Sequence, residues 1–352
     1  MKTLLVTGGA GFIGGNFVLA AIAQGFKVVN LDALTYAGNP ATLAALAGEA
    51  RHVFVEGRIE DRGLVGDLLA RHRPDAVINF AAESHVDRSI EEPDAFTRTN
   101  VLGAQNLLDC ALAHWRGLTG AARESFRFLQ ISTDEVYGSI DRGLFTEHSP
   151  YRPNSPYAAS KAAADHFVRA YHKTYGLPTL ITVGTNNYGP HQFPEKLIPL
   201  MILNGLEGKK LPVYGDGQQV RDWLHVSDHC RAIRAVVERG RPGETYIVGP
   251  DAQLPNLKVV ETICDLLDEL RPANGGPRRG LIQHVADRPG HDRRYAVDST
   301  KLKTELGWRP EVDFADGLRR TVRWYLDNPA WWESIRSGRY RGQRLGLDRV
   351  AS

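Results

Sequence analysis

The sequence predicts an α/β protein: an open, doubly wound parallel sheet with a smaller, mixed C-terminal lobe. Three observations predict it. Glycines at 8, 11 and 14 stand between a short apolar run and a helix-like one. Strand-like and helix-like segments then alternate as far as Pro190, the pattern of parallel strands joined by right-handed crossovers. From His191 onward the elements shorten, and prolines and polar residues punctuate them.

Leu4-Leu5-Val6 reads as a short buried strand and Asn16 to Gln24 as a helix. The turn between them, Gly8 to Gly14 with Phe12 and Ile13, lets backbone amides approach a pyrophosphate at a helix N-terminus, where the dipole favours negative charge. A tight strand-to-helix turn also uses glycine, so the spacing alone leaves both readings open. The next strand, Phe26 to Leu31, ends in Asp32. That is about 20 residues on, where a carboxylate binds an adenosine ribose. A carboxylate there repels a 2′-phosphate. The two features together predict a Rossmann-type domain that takes NAD rather than NADP.

Val53-Phe54-Val55 is a third strand, ending at Gly57-Arg58-Ile59, and Ala76 to Phe80 is a fourth. The fourth runs into Ala81-Ala82-Glu83-Ser84-His85-Val86-Asp87, where the two small alanines suit a backbone packed against a cofactor. His85 reads as a loop histidine that hydrogen-bonds locally. A helix from Asp94 to about Trp115 follows.

The central strand, Phe126 to Ile131, leaves the sheet through Ser132-Thr133-Asp134-Glu135-Val136-Tyr137-Gly138. Ligands of open α/β sheets sit at the carboxyl ends of strands, so Asp134 and Glu135 are presented where substrate lies. Pro156 then starts a helix on which Tyr157 and Lys161 share a face one turn apart. A hydroxyl, two carboxyls, a phenol and an ammonium converge on one pocket. The sixth strand, Thr179 to Val183, ends in Asn186-Asn187-Tyr188-Gly189-Pro190, whose amides serve a ligand or a turn.

In the lobe, Pro194-Glu195-Lys196-Leu197, Pro212 to Gly217 and Arg221-Asp222-Trp223 punctuate the chain. Asp287 to Tyr295 is a charged loop whose arginines are either a solvated surface or a phosphate clamp. Arg319 to Trp332 reads as an amphipathic helix, and 341–352 as a frayed tail. The expected division is 1–190 for the cofactor, with later segments returning to it, and 191–340 mainly for substrate.

At 352 residues and 42% hydrophobic, a sizeable core is available. The net charge of +2 calls for neither nucleic acid nor an anionic membrane. No apolar run reaches the ~18 residues of a membrane span, and the first residues lack a secretory pattern. Cys110, Cys230 and Cys264 are scattered and odd in number, as in a reduced cytoplasmic protein without a metal site.

With these residues in view, the chain resembles the extended short-chain dehydrogenase/reductase superfamily and, within it, the dTDP-glucose 4,6-dehydratases, from Met1 to about Asn328. The glycine turn and the Tyr157/Lys161 pair are superfamily-wide. Thr133-Asp134-Glu135 together with Arg288-Pro289-Gly290-His291 is more specific. The resemblance implies a cofactor site of Gly8, Gly11, Phe12, Ile13, Gly14, Asp32, Ala33, Leu34, Thr35, Arg58, Ile59, Phe80, Ala81, Ala82, Ser84, Thr99, Tyr157, Lys161 and Asn187. It implies a sugar-nucleotide site of Ser84, His85, Thr133, Asn186, Glu195, Lys196, Leu197, Pro212, Val213, Tyr214, Arg221, Asn256, Arg288, His291 and Tyr295. It also implies a homodimer, paired through the helix from Asp94 and the alanine-rich Tyr157 helix. Two positions depart from the pattern: Arg58 replaces a usual aspartate, and Gly184 a bulkier residue.

The resemblance implies a reaction that these parts suit. Oxidising C4 of glucose to a ketone makes the C5 proton acidic, and water then leaves from C5 and C6. Tyr157 takes the 4-OH proton, Thr133 holds the 4-oxygen, Glu135 removes the C5 proton and Asp134 protonates the departing hydroxyl. A tyrosine of pKa ~10 needs a shift of ~3 units to work near neutrality. A lysine ~5 Å away supplies ~3 kcal/mol at an effective dielectric of ~20, and the cationic nicotinamide the rest. The alternatives are a UDP-sugar 4-epimerase or UDP-glucuronate decarboxylase on the same scaffold, or an NAD-sensing regulator. The first two need no acid at Asp134, and a regulator has no use for the Tyr157/Lys161 pair.

Overall fold

The computed structural model describes residues 2–272, 275–287 and 290–338. Arg288 and the segment 341–352 lie outside the described residues. Among the described residues the strands are β1 (Thr3–Thr7), β2 (Lys27–Asp32), β3 (His52–Glu56), β4 (Ala76–Asn79), β5 (Arg127–Thr133), β6 (Thr179–Gly184), β7 (Asn186–Tyr188), β8 (Leu211–Tyr214), β9 (Val220–His225), β10 (Thr245–Val248), β11 (Gln253–Pro255) and β12 (Ile282–Val285).

Seven of them form one sheet in the order β10-β6-β5-β4-β1-β2-β3. Every pairing in it is parallel. The chain order reverses between β1 and β4, which opens a crevice outside the carboxyl ends of those two strands. A parallel sheet is covered on both faces, and β1, β2, β4, β6 and β10 are buried almost throughout. Phe128, Val136, Val168 and Ile181 pack on one side, beneath the helices Ala104–Arg116 and Pro156–Tyr175. Phe17, Val18, Leu129, Ile233 and Val236 pack on the other, beneath Phe12–Ala23 and Val226–Arg239. Each such side chain, fully buried, contributes roughly 1.5–3 kcal/mol.

The smaller lobe has mixed sheets. β9 pairs parallel with β7 and antiparallel with β11, while β8 pairs parallel with β12. Its own core holds Met201, Ile202, Val213, Val260, Ile263, Leu318 and Tyr325. The expected helix Arg319 to Trp332 is two helices, Phe314–Asp327 and Pro329–Gly338. Asp313 starts the first by accepting from the amide of Ala315 at 2.8 Å. Pro329 ends it, because a proline has no N–H to donate to the preceding turn yet suits the first position of the next helix. The expected helix Asp94 to Trp115 runs from Pro93 to Arg116, with a π-helical stretch at Thr97–Gly103.

Candidate active site

The glycine turn is shaped by contact. Gly8 has φ +71°, and a Cβ on it would stand 2.7 Å from the Ala81 nitrogen; one on Gly14 would stand 2.3 Å from the Gly8 oxygen. Only glycine allows the loop to close this tightly between β1 and β4. The helix beyond it starts at Gly11 with no side-chain cap and no acidic residue in its first turn. Its opening amides and positive dipole end therefore face the crevice, as an anion requires. Asp32, at the end of β2, accepts from the Ala10 amide through Oδ2 and from the Leu34 amide through Oδ1, both at 2.8 Å. Burial raises its pKa and the two amides oppose that. A glycine cradle, an uncapped helix start and a held carboxylate fit a dinucleotide's pyrophosphate and ribose.

One continuous cleft is lined by nearly all the cofactor residues expected from sequence: Gly8, Gly11, Phe12, Ile13, Gly14, Asp32, Ala33, Thr35, Arg58, Ile59, Phe80, Ala81, Ala82, Ser84, Thr99, Tyr157, Lys161 and Asn187. Leu34 is not on that wall. It packs against the core below, at φ +46°.

The same cleft holds the reacting groups. β5 ends at Thr133, whose Oγ1 accepts from the Glu135 amide at 3.3 Å and caps the short 3₁₀ turn Asp134–Tyr137. Thr133 also donates to Asp134 Oδ1 at 3.4 Å, and Asp134 Oδ2 is buried with no hydrogen-bond partner among the described residues. Burial first, then the Glu135 charge, push the Asp134 pKa well above the usual carboxylate range. An acid and a base are thus set side by side by unequal burial. Tyr157 stands at the start of the Pro156–Tyr175 helix, where Ser155 Oγ accepts from the Ala158 amide at 3.1 Å. Lys161, 4% exposed, donates from Nζ to the Ile131 carbonyl at 2.6 Å. Burial pulls its pKa down to about 8.

For Tyr157 the direction differs from the sequence expectation. Burial, and then the Glu135 charge, raise its pKa, although a hydrogen bond with Thr133 opposes them. The lysine field does not outweigh these in the protein alone.

Beside the cleft the lobe sets two buried residues of the expected set, Arg221 and Tyr295, which do not line it. The Arg221 guanidinium lies 4.2 Å from the Tyr295 ring centroid and donates to the Asp292 carbonyl at 2.9 Å. Tyr295 donates to Asp292 Oδ2 at 2.6 Å. Arg221 acts electrostatically on Asp134, and Glu135 on Tyr295, so β9 faces the 3₁₀ turn. Ser84, Thr133, Asn186, Glu195 and Lys196 line the cleft itself. Glu195 accepts from Tyr36 at 3.0 Å, and Lys196 donates to the Ser84 carbonyl at 3.0 Å.

Other residues of the expected sugar-nucleotide set are placed elsewhere. His85 accepts from the Arg88 amide and caps the helix Val86–Glu91, the local role expected of a loop histidine. Leu197 and Val213 pack into the lobe core, and Pro212 pairs opposite Gln283 in the two-stranded sheet. Tyr214 donates to Asp87 Oδ2 at 3.3 Å and meets the His291 ring edge-on, with centroids 6.1 Å apart. His291 Nδ1 lies 2.6 Å from Asp287 Oδ1. Asn256 opens the helix Asn256–Leu270, with its Oδ1 buried and unpartnered among the described residues. Tyr214, His291 and Asn256 lie outside the cleft that holds Tyr157.

Sequence reasoning missed Tyr36, Glu83, Gln192 and His229. His229 fills the space that a larger residue at 184 would take, since a Cβ on Gly184 would lie 2.6 Å from its Cε1. Its Nδ1 is 3.0 Å from Asn187 Oδ1, and Asn187 Nδ2 donates to the Thr185 carbonyl at 2.8 Å. Burial lowers the His229 pKa to about 4, so the ring is neutral and carries its proton on Nδ1. The unexpected glycine was the available signal.

Comparison with known proteins follows the same lines. The family model described as GDP-mannose 4,6 dehydratase matches residues 5–321. The chain is 61% identical over 348 residues to a dTDP-glucose 4,6-dehydratase of Xanthomonas campestris pv. campestris (strain B100), covering 98% of this chain and 99% of that one. Among solved structures it is similar to the dTDP-glucose 4,6-dehydratase DesIV of Streptomyces venezuelae, whose crystal structure holds NAD. There the TM-score is 0.88 and the identity 50%, covering 95% of this chain and 100% of that one. A UDP-glucose 4-epimerase of Thermotoga maritima shares the fold at 29% identity and TM-score 0.81, over 93% of this chain and 100% of that one.

Proposed function

The chain belongs to the GDP-mannose 4,6 dehydratase family, and from that premise we infer that it converts dTDP-glucose to dTDP-4-keto-6-deoxyglucose as an NAD-dependent lyase. The observation that carries the reading over an epimerase or a decarboxylase is Asp134. It is 2% exposed, next to Glu135, and pushed toward its protonated form. Epimerisation and decarboxylation have no use for a buried acid beside a base, and elimination of water needs both.

The glycine turn, Asp32, Ala81 and Ala82 would hold NAD, which when bound supplies a hydride acceptor that takes hydrogen from C4 and gives it back to C6. The chain's own groups handle the protons. Tyr157 takes the 4-hydroxyl proton, with Lys161 as the fixed cation below it. Thr133 holds the 4-oxygen. Glu135 removes the C5 proton, and Asp134 gives its proton to the 6-hydroxyl as it departs. Arg221 is the cation that meets the diphosphate.

Incubation with dTDP-glucose should produce the alkali-induced absorbance of a 4-keto-6-deoxy sugar. Absorbance with UDP-glucose alone, or 4-epimer without it, would overturn the reading. In the same assay Arg221→Ala should raise KM more than it lowers kcat, because the contact is remote from the reacting carbons. A charge-assisted hydrogen bond is worth about 1.5–3 kcal/mol, so kcat/KM should fall roughly 10- to 150-fold. An unchanged KM would place the diphosphate elsewhere.

The active form is a homodimer paired through the helices that follow Asp94 and Tyr157. Leu102, 55% exposed within the first of them, supports this, as do the exposed Ala159 and half-buried Ala163 of the second. Small residues allow close helix approach. Light scattering at micromolar protein should give twice the chain mass; the mass of one chain would reject the pairing.

A further inference from the structure

Asp165 takes no part in the reaction as derived, yet it is 0% exposed. It follows Lys161 by four residues, as Lys161 follows Tyr157, so all three share one face of the Pro156–Tyr175 helix. Arg169 continues the row by one more turn. Asp165 Oδ2 accepts two hydrogen bonds, from Ser132 Oγ at 2.6 Å and from the Tyr151 hydroxyl at 2.9 Å. Arg169 Nη2 donates to that same Tyr151 oxygen at 2.8 Å. Asp165 Oδ1 has no hydrogen-bond partner among the described residues. Ser132 lies on β5 between Ile131, whose carbonyl accepts from Lys161, and Thr133.

A buried carboxylate is costly unless its charge is matched. Two neutral hydroxyls on one oxygen do not match it, whereas cations one turn away on either side do. Lys161 has the complementary problem: it is buried, and the acceptor at its ammonium is an uncharged carbonyl. We propose that Asp165 is the buried counter-ion that keeps Lys161 charged beneath Tyr157, and that its bond to Ser132 fixes the end of β5 against the helix. The proposal makes Asp165 a positioning residue and rests on the assignment of Tyr157 and Lys161 as the proton-accepting pair. Burial lowers the Lys161 pKa and raises that of Asp165, and each of the two charges opposes the other's shift.

The groups that face Asp165 set the sign of the test. Lys161 and Arg169 face it from its own helix, Ser132 from β5, and Tyr151 from the loop before the helix. Tyr157 and Tyr137, the latter from the 3₁₀ turn, feel its negative charge as well. Asp165→Asn removes that charge, which lowers the pKa of Lys161 and of Tyr157 alike. Tyr157 deprotonation sets the acid limb of the pH–rate profile and Lys161 deprotonation the alkaline limb. Both limbs should therefore move to lower pH, by about 1–3 units for a neighbouring charge. A purely structural lesion lowers the profile without moving it.

The experiment is the pH dependence of kcat for the wild type, Asp165→Asn and Ser132→Ala, with Tyr157→Phe alongside. Displacement of both limbs in Asp165→Asn, with Ser132→Ala lowered but undisplaced, is the expected result. An undisplaced Asp165→Asn profile with inactive Tyr157→Phe overturns the counter-ion alone, and an active Tyr157→Phe overturns the pair on which it rests. Thermal unfolding gives a second test should Asp165→Asn turn over too slowly for a pH profile. Lys161→Met leaves a buried charge unmatched and should lower Tm. Adding Asp165→Asn to it should recover part of the loss, and a further fall would overturn the proposal.

Discussion

Tyr157→Phe should abolish turnover of dTDP-glucose, by about 10²–10⁴-fold, while leaving nucleotide-sugar binding in place. That is the usual cost of losing a general base. The substitution removes one oxygen and little else. The ring is 9% exposed and meets Phe96 edge-on, with centroids 6.2 Å apart, and phenylalanine keeps that contact. The lost oxygen belongs to a phenol that burial and Glu135 hold in its protonated form. Each unit by which a pKa stands above the working pH costs about 1.4 kcal/mol, so the phenol is a poor base until positive charge lies over it. Lys161 is one source, and the oxidised nicotinamide of the bound cofactor is the other. The base is therefore poised only when cofactor and substrate are both seated. Mixing the variant with dTDP-glucose should give no absorbance from bound NADH, since the first oxidation is what fails. Near-normal turnover would sink the tyrosine assignment.

What the sequence disclosed, and what it did not, divides along the sheet. Strand ends were legible because period, glycine spacing and a terminal carboxylate are local properties. Asp32, Thr133 and Tyr157 each announce themselves within a few residues of their own element. The lobe was less legible. Val213 and Leu197 belong to an apolar core whose helices are remote in the chain, and no local pattern separates a core residue from a pocket residue there. β10, formed by Thr245–Val248, joins the main sheet beside β6 through a pairing that only the fold reveals. Tyr36 acts through Glu195, 159 positions away, and Asp165 through Tyr151 and Ser132 on other elements. The charge of Lys161 was written in the sequence, but the burial that pulls its pKa down to about 8 was not. Burial depends on everything packed above the site, so the lysine neighbour of Tyr157 was legible and the burial that works against it was not.

Asp134→Asn and Glu135→Gln should separate the two halves of the reaction. Both variants keep Tyr157 and Thr133, so hydride should still leave C4. Elimination should stall, because one variant has no acid for the 6-hydroxyl and the other no base for the C5 proton. Each loss falls in the same 10²–10⁴-fold range as for any general acid or base, but it falls on the second step. Rapid quench should then show 4-keto-glucose nucleotide and bound NADH accumulating together. The structure makes Asp134→Asn the cleaner of the two. The Asp134 carboxyl is buried, one oxygen lacks a partner among the described residues, and its pKa stands well above the usual range. A neutral amide replaces a group already favoured as neutral, so little electrostatic disturbance accompanies the lost proton. Glu135→Gln does more, because the Glu135 charge is what raises Asp134 and Tyr157 after burial. Removing it lowers both pKa values, which favours the tyrosine as a base. In Glu135→Gln the first oxidation should therefore run at least as well as in Asp134→Asn, with the block lying wholly at C5. If both variants stop at unoxidised substrate, the carboxyls serve binding or C4 chemistry, and the division of labour between Tyr157 and the Asp134–Glu135 pair is wrong.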